Sequence, residues 1–151
     1  MEIIRGIFET HLQVSSLERA KQFYGDTLGL KLGRIEADRR VVFYLIQGDE
    51  QSMLGLWESD YIQNRHFAFR VCGKHIQNMV PELLERKIKI VSKFGCPEEE
   101  PVVFPWLACA SVYFEDPDGN LLELIAKLPE PPITSMRETA IPLSEWKRIH
   151  I

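Results

Sequence analysis

The sequence predicts an α+β fold: two tandem βαβββ modules, at about residues 6–58 and 65–126, that form a curved mixed-sheet cup with the helices outside. Three patterns support this prediction: apolar and polar residues alternate with a period of two, helical spacing follows the first strand of each half, and both halves share one element order. The 151 residues are enough for one compact core. We predict a single domain over residues 1–128 and a C-terminal extension over residues 129–151.

The first module begins with an alternating segment at residues 6–14, in which His11 falls on the polar face. Such alternation is typical of a half-buried strand. Ser15 and Glu18 form a capping box, so a helix should begin there, and Gly29 stands where that helix should end. Apolar runs then predict three strands, at residues 31–38, 40–47 and 52–58.

The second module repeats this order. Residues 65–71 alternate sharply, with His66 on the polar face, so His11 and His66 are predicted to occupy equivalent places. A helix is predicted over residues 74–87, and Pro81 within it predicts a late start or a bend. Strands are predicted at residues 88–94, 109–115 and 121–126, with a tight turn over residues 116–120 between the last two.

Two segments fall outside this repeat. Residues 95–108 contain three prolines, which exclude a regular helix, and a lid, a dimer contact or an ordinary packed loop are all open interpretations. The extension starts with a stiff spacer at residues 129–132, and residues 143–149 can form a short helix that carries Trp146. We expect the extension to pack on the domain or on a partner subunit.

Composition excludes several classes of partner. The net charge of −4 and the lack of a long basic run argue against nucleic acid, and no apolar stretch is long enough to predict a membrane span. The first residues lack the pattern of a signal peptide. Three cysteines without a Cys-x-x-Cys motif argue against a disulfide framework. We therefore predict a cytoplasmic protein with reduced thiols.

Three polar residues interrupt apolar strand patterns: His11, His66 and Glu123. An isolated histidine in a strand is usually structural, but two imidazoles and a carboxylate together can ligate one divalent ion and leave positions open for a substrate. Zinc, manganese, iron and nickel all accept such a set. Ser111 and Tyr113 alternate onto one strand face and can donate hydrogen bonds to that substrate.

Four further residues are candidates for substrate binding. Gln13 and Arg70 share strand faces with the two histidines, and the guanidinium of Arg70 can pair with an anionic group. Trp57 and Trp106 are aromatic candidates for the same role.

Three segments in order resemble the vicinal oxygen chelate superfamily, which includes glyoxalases, bleomycin-resistance proteins and extradiol dioxygenases. They are residues 11–30, with the pattern His-Leu-Gln-Val and a following helix, residues 65–69, and residues 113–123, which end in a hairpin and Glu123. The likeness spans residues 6–126. It implies paired modules around a metal-holding cup, and commonly a homodimer.

Within the superfamily, the site pattern most resembles that of single-chain fosfomycin-resistance enzymes. The resemblance implies metal ligands at His11, His66 and Glu123, and substrate contacts at Ser111 and Tyr113. The chain has Gln13 where those enzymes keep a threonine, and a proline-rich segment where they carry a basic residue. It therefore lacks, at that place, a basic residue that would compensate the charge of a phosphonate substrate.

Glyoxalase I, a second comparison, uses a fourth protein ligand from the last strand of the first module. Alignment of residues 53–57 with residues 121–125 puts Gly55 opposite Glu123, and glycine has no side chain to coordinate. The sequence thus favours a three-ligand, metal-dependent enzyme with lyase, isomerase or thiol or epoxide transferase chemistry. The alternatives are an extradiol-type dioxygenase and a non-catalytic drug-binding protein.

Overall fold

The computed structural model describes residues 3–48 and 51–151, and the chain divides into two compact units. Unit 1 contains a four-stranded sheet and unit 2 a five-stranded sheet, and both are mixed. The α+β class and the two-module order are confirmed. Unit 1 covers Met1–Arg65 and Asp116–Asn120, and unit 2 covers His66–Glu115 and Leu121–Ile151.

Unit 1 follows the predicted strand, helix and three-strand order. Its sheet has the order β1-β4-β3-β2, with β1 parallel to β4 and the other pairs antiparallel. A π-helical segment, Gln22–Thr27, continues its helix. The elements are β1 (Glu9–Val14), α1 (Leu17–Lys21), β2 (Lys31–Glu36), β3 (Val41–Ile46) and β4 (Ser52–Glu58).

Helix α1 begins one residue later than predicted. Its N-cap is Ser16, whose hydroxyl accepts a hydrogen bond from the backbone N–H of Arg19 at 3.3 Å. The predicted cap, Ser15, instead donates its hydroxyl to Asp118 Oδ1 at 2.5 Å. The capping-box prediction for Ser15 and Glu18 is therefore wrong by one residue, because a distant carboxylate occupies Ser15.

One face of each sheet is buried and apolar. In unit 1, residues such as Leu12, Val14 and Leu56 are fully or almost fully buried, together with Tyr24 of the π-helical segment. The opposite face of β1 therefore presents its alternate, polar residues. Burial of the apolar face fixes the register, since a one-residue slip would reverse both faces.

Unit 2 has the sheet order β5-β8-β7-β6-β9. Its first helix is preceded by a 3₁₀ segment, Gly73–Asn78, so the late start predicted from Pro81 is confirmed. Proline is tolerated there because the first turn of a helix leaves its N–H groups unpaired. The elements are β5 (His66–Arg70), α2 (Met79–Glu85), β6 (Val102–Phe104), β7 (Cys109–Glu115), β8 (Leu121–Lys127), β9 (Ile141–Pro142) and α3 (Leu143–Ile149).

The strand predicted at residues 88–94 is wrong. Only an isolated bridge forms there, between Ile90 and Phe114. The chain then turns through positive φ angles at Phe94 (58°) and Gly95 (70°), which ends the pairing. The neighbouring place on the sheet belongs to β6, which comes from the segment predicted to be irregular.

The C-terminal extension packs within unit 2. Strand β9 pairs with β6, and the predicted helix at residues 143–149 is present as α3. Trp146 is fully buried, and its indole N–H donates to Glu130 Oε2 at 3.0 Å. That bond is the main cause of the lowered pKa of Glu130. No helix in the described part of the chain is long and apolar enough to span a membrane.

The turn between β7 and β8 belongs to unit 1. Its buried Asp116 carboxylate accepts hydrogen bonds from the Tyr24 hydroxyl at 2.7 Å, from the Asn120 backbone and side-chain N–H groups at 2.8 Å, and from the Asp118 N–H at 2.9 Å. Gly119 supplies the positive φ of 81°. The tight turn predicted here is confirmed.

Candidate functional site

In unit 2, His66 and Glu123 form a polar pair on the open face of the sheet. His66 Nε2 lies 3.2 Å from Glu123 Oε2. His66 Nδ1 lies 3.0 Å from the Leu121 carbonyl oxygen, and because a carbonyl only accepts, Nδ1 carries the proton. Nε2, the other ring nitrogen, faces the carboxylate. The Glu123 side chain is 6% exposed and that of His66 is 48% exposed, so the pair is reachable from solvent.

Ser111 and Tyr113 lie beside this pair on β7, as their alternation predicted. Tyr113 is directly opposite Glu123 in the β7–β8 pairing. The Ser111 hydroxyl donates to Glu123 Oε1, and the Tyr113 side chain lies beside both residues. Burial, and then the Glu123 charge, raise the pKa of Tyr113 above its ordinary value. Its hydroxyl therefore keeps its proton at neutral pH and acts as a donor.

In unit 1, both ring nitrogens of His11 have partners. The Trp57 indole N–H donates to His11 Nδ1 at 2.6 Å, so the proton of the neutral ring is on Nε2. Nε2 lies 2.5 Å from Glu9 Oε1. Gly55 is paired with His11, and a Cβ at Gly55 would lie 2.4 Å from His11 Nδ1. The glycine thus provides the space in which the imidazole lies over β4.

Strand pairing shows which residues correspond between the two units. Glu9 is the first residue of β1 and lies two residues before His11, which pairs with Gly55. His66 is the first residue of β5 and lies two residues before Ala68, which pairs with Glu123. Counted from the predicted correspondence of Gly55 with Glu123, Glu9 and not His11 has the register position of His66. The predicted equivalence of His11 and His66 stays a prediction.

A cavity of about 600 Å³ opens on the same face of unit 1. Its cationic groups are balanced locally, because Arg34 and Arg39 both pair with Glu36, at 3.1 and 2.7 Å. The Arg39 guanidinium carbon also lies 4.8 Å from the centre of a Trp57 ring. The full lining is Glu9, His11, Gly33, Arg34, Glu36, Arg39, Phe43, Leu45, Met53 and Trp57.

The remaining predicted contacts lie at scattered places. The Gln13 side-chain carbonyl accepts a hydrogen bond from the Gln63 N–H at 2.8 Å, so this amide supports the segment before β5. Arg70 pairs in register with Ile125 on β8. Trp106 is 43% exposed in the turn between β6 and β7. Their roles in substrate binding stay predictions.

The donors thus form two pairs: His66 with Glu123, and His11 with Glu9. Within residues 3–48 and 51–151, no three His, Cys, Asp or Glu side chains are grouped closely enough to hold one metal ion. The three-ligand set predicted from the sequence therefore stays a prediction. Sequence reasoning missed Glu9, although it lies two residues before His11 on the same strand face.

Residues 6–124 match the family model of the Glyoxalase/Bleomycin resistance protein/Dioxygenase superfamily. The chain belongs to this superfamily. The match includes both strands that carry the candidate histidines and ends just after Glu123. No match was found among functionally curated proteins.

Solved structures agree with this assignment. An integron cassette protein from the mobile metagenome of a Halifax Harbour sewage outfall is 32% identical, with 82% of this chain and 99% of that chain covered and a TM-score of 0.71. Lactoylglutathione lyase from Agrobacterium tumefaciens is 23% identical over 82% and 95% of the two chains, with a TM-score of 0.63. The fosfomycin resistance protein FosX from Listeria monocytogenes, solved with Mn(II) and sulfate, is 21% identical over 85% and 94%, with a TM-score of 0.60. The last two show the fold alone.

Proposed function

We propose that this protein is a metal-dependent enzyme that binds neighbouring oxygens of a small substrate and performs lyase, isomerase or transferase chemistry. The observation that carries the proposal is the His66–Glu123 pair. A ligating histidine usually donates its second ring N–H to a carbonyl or carboxylate, and His66 does so to Leu121. The same bond leaves Nε2 free to ligate, 3.2 Å from a carboxylate oxygen.

The residues of unit 2 fit a divalent cation such as Zn²⁺, Mn²⁺, Fe²⁺ or Ni²⁺. An imidazole and a carboxylate are among the ligands that these ions accept. The buried Glu123 is oriented by the Ser111 hydroxyl, so its free oxygen faces His66. When bound, the ion supplies Lewis acidity that stabilises negative charge developing on a substrate oxygen.

Tyr113 and Ser111 are the protein groups that would act on the substrate. The buried Tyr113 hydroxyl keeps its proton, so it can donate a hydrogen bond to a substrate oxygen as charge develops there. Ser111 is fully buried and bonded to Glu123, and its role is therefore to position that carboxylate. Trp57, in the cavity of unit 1, is a candidate for substrate contact.

The third ligand is proposed to come from β1, where two residues compete for the role. His11 is the ligand that the sequence predicts. Glu9 has the register position of His66, and its carboxylate can bind a metal ion without a change of tautomer. His11 would need such a change to bind through Nε2, because the bond from Trp57 places its proton on that nitrogen. Because Glu9 Oε1 and His11 Nε2 are 2.5 Å apart, an ion bound to one would disturb the other.

Titration of the metal-free protein with Mn²⁺, followed by electron paramagnetic resonance, tests the proposal. We expect one ion per chain in the wild type. The change His66→Gln should weaken binding by more than the roughly 10- to 100-fold typical of outer-sphere changes. The exposed His75 provides the control, since His75→Gln should leave binding unchanged. Comparison of Glu9→Gln with His11→Gln then identifies the ligand on β1.

Equal binding by the wild type and His66→Gln would overturn the metal site. Binding of an aromatic ligand without any metal would favour a drug-binding protein instead. Oxygen consumption with catechols, in iron-containing protein only, would favour a dioxygenase. The three unpaired cysteines, Cys72, Cys96 and Cys109, are consistent with the proposed cytoplasmic location.

We further propose that the active form is a homodimer in which β1 of one chain completes the site of the other. Members of the chain's superfamily are usually dimeric, which supports this proposal. The test is to refold His66→Gln chains together with chains that carry both Glu9→Gln and His11→Gln. Half of the dimers should then be mixed, and one of the two sites in each mixed dimer has all its ligands. We therefore expect about one quarter of the wild-type number of metal sites. No recovery would contradict the shared site.

A further inference from the structure

A row of aromatic rings leads from the loop after residue 90 to the His66–Glu123 pair. Phe94 contacts Phe104 with ring centres 5.2 Å apart, and it contacts Tyr113 at 6.0 Å. Tyr113 in turn lies 6.0 Å from the His66 ring. We call Phe104, Phe94, Tyr113 and His66 the aromatic strip. All four residues belong to unit 2.

Phe94, like His66, is an exposed member of this strip, and it has an unfavourable backbone. Its φ of 58° is rare for a residue with a bulky side chain, and the next residue, Gly95, also has a positive φ. The ring is nevertheless 61% exposed, so little burial offsets the strain. Strained backbone of this kind is found most often at ligand-binding sites.

The two ends of the strip differ in chemistry. At one end, His66, Glu123 and the Tyr113 hydroxyl offer ligands and a hydrogen-bond donor for substrate oxygens. At the other end, the exposed Phe94 ring offers an apolar face beside Tyr113. A molecule that satisfies both ends has two neighbouring oxygens and a flat apolar group attached to them.

We propose that Phe94 determines substrate specificity and that the substrate carries an aryl or similar planar apolar group next to its metal-binding oxygens. This inference rests on the proposed function, because the polar end of the strip is the candidate metal site. Contact between the substrate ring and Phe94 would select planar substrates over small aliphatic ones.

Two hydroxamates provide a matched pair of probes, since both chelate through neighbouring oxygens and only one carries a phenyl ring. Calorimetric titration of the Mn²⁺-loaded protein should give a lower Kd for benzohydroxamate than for acetohydroxamate, by roughly 3- to 10-fold if one ring contact is gained. The change Phe94→Ala should bring this ratio close to one and leave the Kd of acetohydroxamate unchanged.

Two further variants separate specificity from stability. Phe94→Gly removes the ring and also relieves the positive φ, so it should lose the preference without loss of thermal stability. Tyr61→Ala removes an aromatic ring that is even more exposed, in unit 1, and should keep the preference.

Each outcome has one meaning. A wild-type ratio near one, with both probes bound, would overturn the aromatic-strip proposal and leave the metal site standing. A ratio that survives both Phe94 changes would also overturn it. Failure of both probes to bind the Mn²⁺-treated protein would overturn the metal site and this inference together. Dissociation of a dimer by Phe94→Ala would assign the ring to a subunit interface and contradict its role in specificity.

Discussion

The two units carry the same strand pattern but place their histidines in opposite hydrogen-bonding states. In unit 1, His11 accepts a bond from the Trp57 indole and lies over Gly55. In unit 2, His66 donates to a backbone carbonyl and directs its other ring nitrogen toward Glu123. A histidine in a family-like motif is therefore not a ligand by position alone. Its neighbours decide which nitrogen is available.

The residue paired beside each histidine-bearing strand bears on this difference: it is Gly55 on β4 and Glu123 on β8. In unit 2 a carboxylate stands there, and the imidazole at the start of β5 faces it. In unit 1 the missing side chain leaves space, which the ring two residues further along β1 fills. Gly55 thus gives the His11 ring its place over β4, while His11 still pairs with Glu9.

The largest effect that bears on this comparison is expected at the turn that follows β7. Asp116→Ala removes the acceptor of four hydrogen bonds in unit 1 and leaves buried donors unpaired, so the free energy of unfolding should fall by about 3 kcal/mol or more. Chemical denaturation measures this change. The exposed neighbour Glu115 provides the control, and Glu115→Ala should have little effect.

If Asp116→Ala and Glu115→Ala were equally mild, the turn would not be a structural part of unit 1.

A smaller effect is expected from Gly55→Ala. The added Cβ would displace the His11 ring and break its bond with Trp57, which costs roughly 1 kcal/mol, while alanine in a strand recovers a similar amount. The free energy of unfolding should therefore change little. The nuclear magnetic resonance signal of the Trp57 indole N–H should move toward its value in water. Gly6→Ala, at a site with no neighbour within 4 Å, should leave all three indole signals in place.

Much of this fold follows from local sequence patterns. Strand β4 was predicted with its observed bounds, and β7 and β8 were predicted to within one residue, because burial of one face imposes a period of two. The strand predicted at residues 88–94 failed because a single bridge cannot continue past the turn at Phe94 and Gly95.

The site was predictable only in part. The resemblance pointed to Ser111 and Tyr113, and alternation along β7 places both on the face of Glu123, as the structure has them. The register between β1 and β4 was not predicted, because it depends on pairs of residues that are some forty positions apart in the chain. For the same reason the bond from Trp57 to His11, and the role of Glu9, were not predictable from local pattern.

The most direct test of the account is the tautomer of each histidine. Long-range ¹H–¹⁵N correlation spectra of the metal-free protein at alkaline pH, where imidazoles are neutral, distinguish the protonated ring nitrogen from the bare one. His11→Gln and His66→Gln assign two of the four imidazoles. We predict a proton on Nδ1 of His66 and on Nε2 of His11. Addition of Zn²⁺ should shift the ¹⁵N resonance of His66 Nε2. A proton on Nε2 of His66, with no response to Zn²⁺, would contradict it.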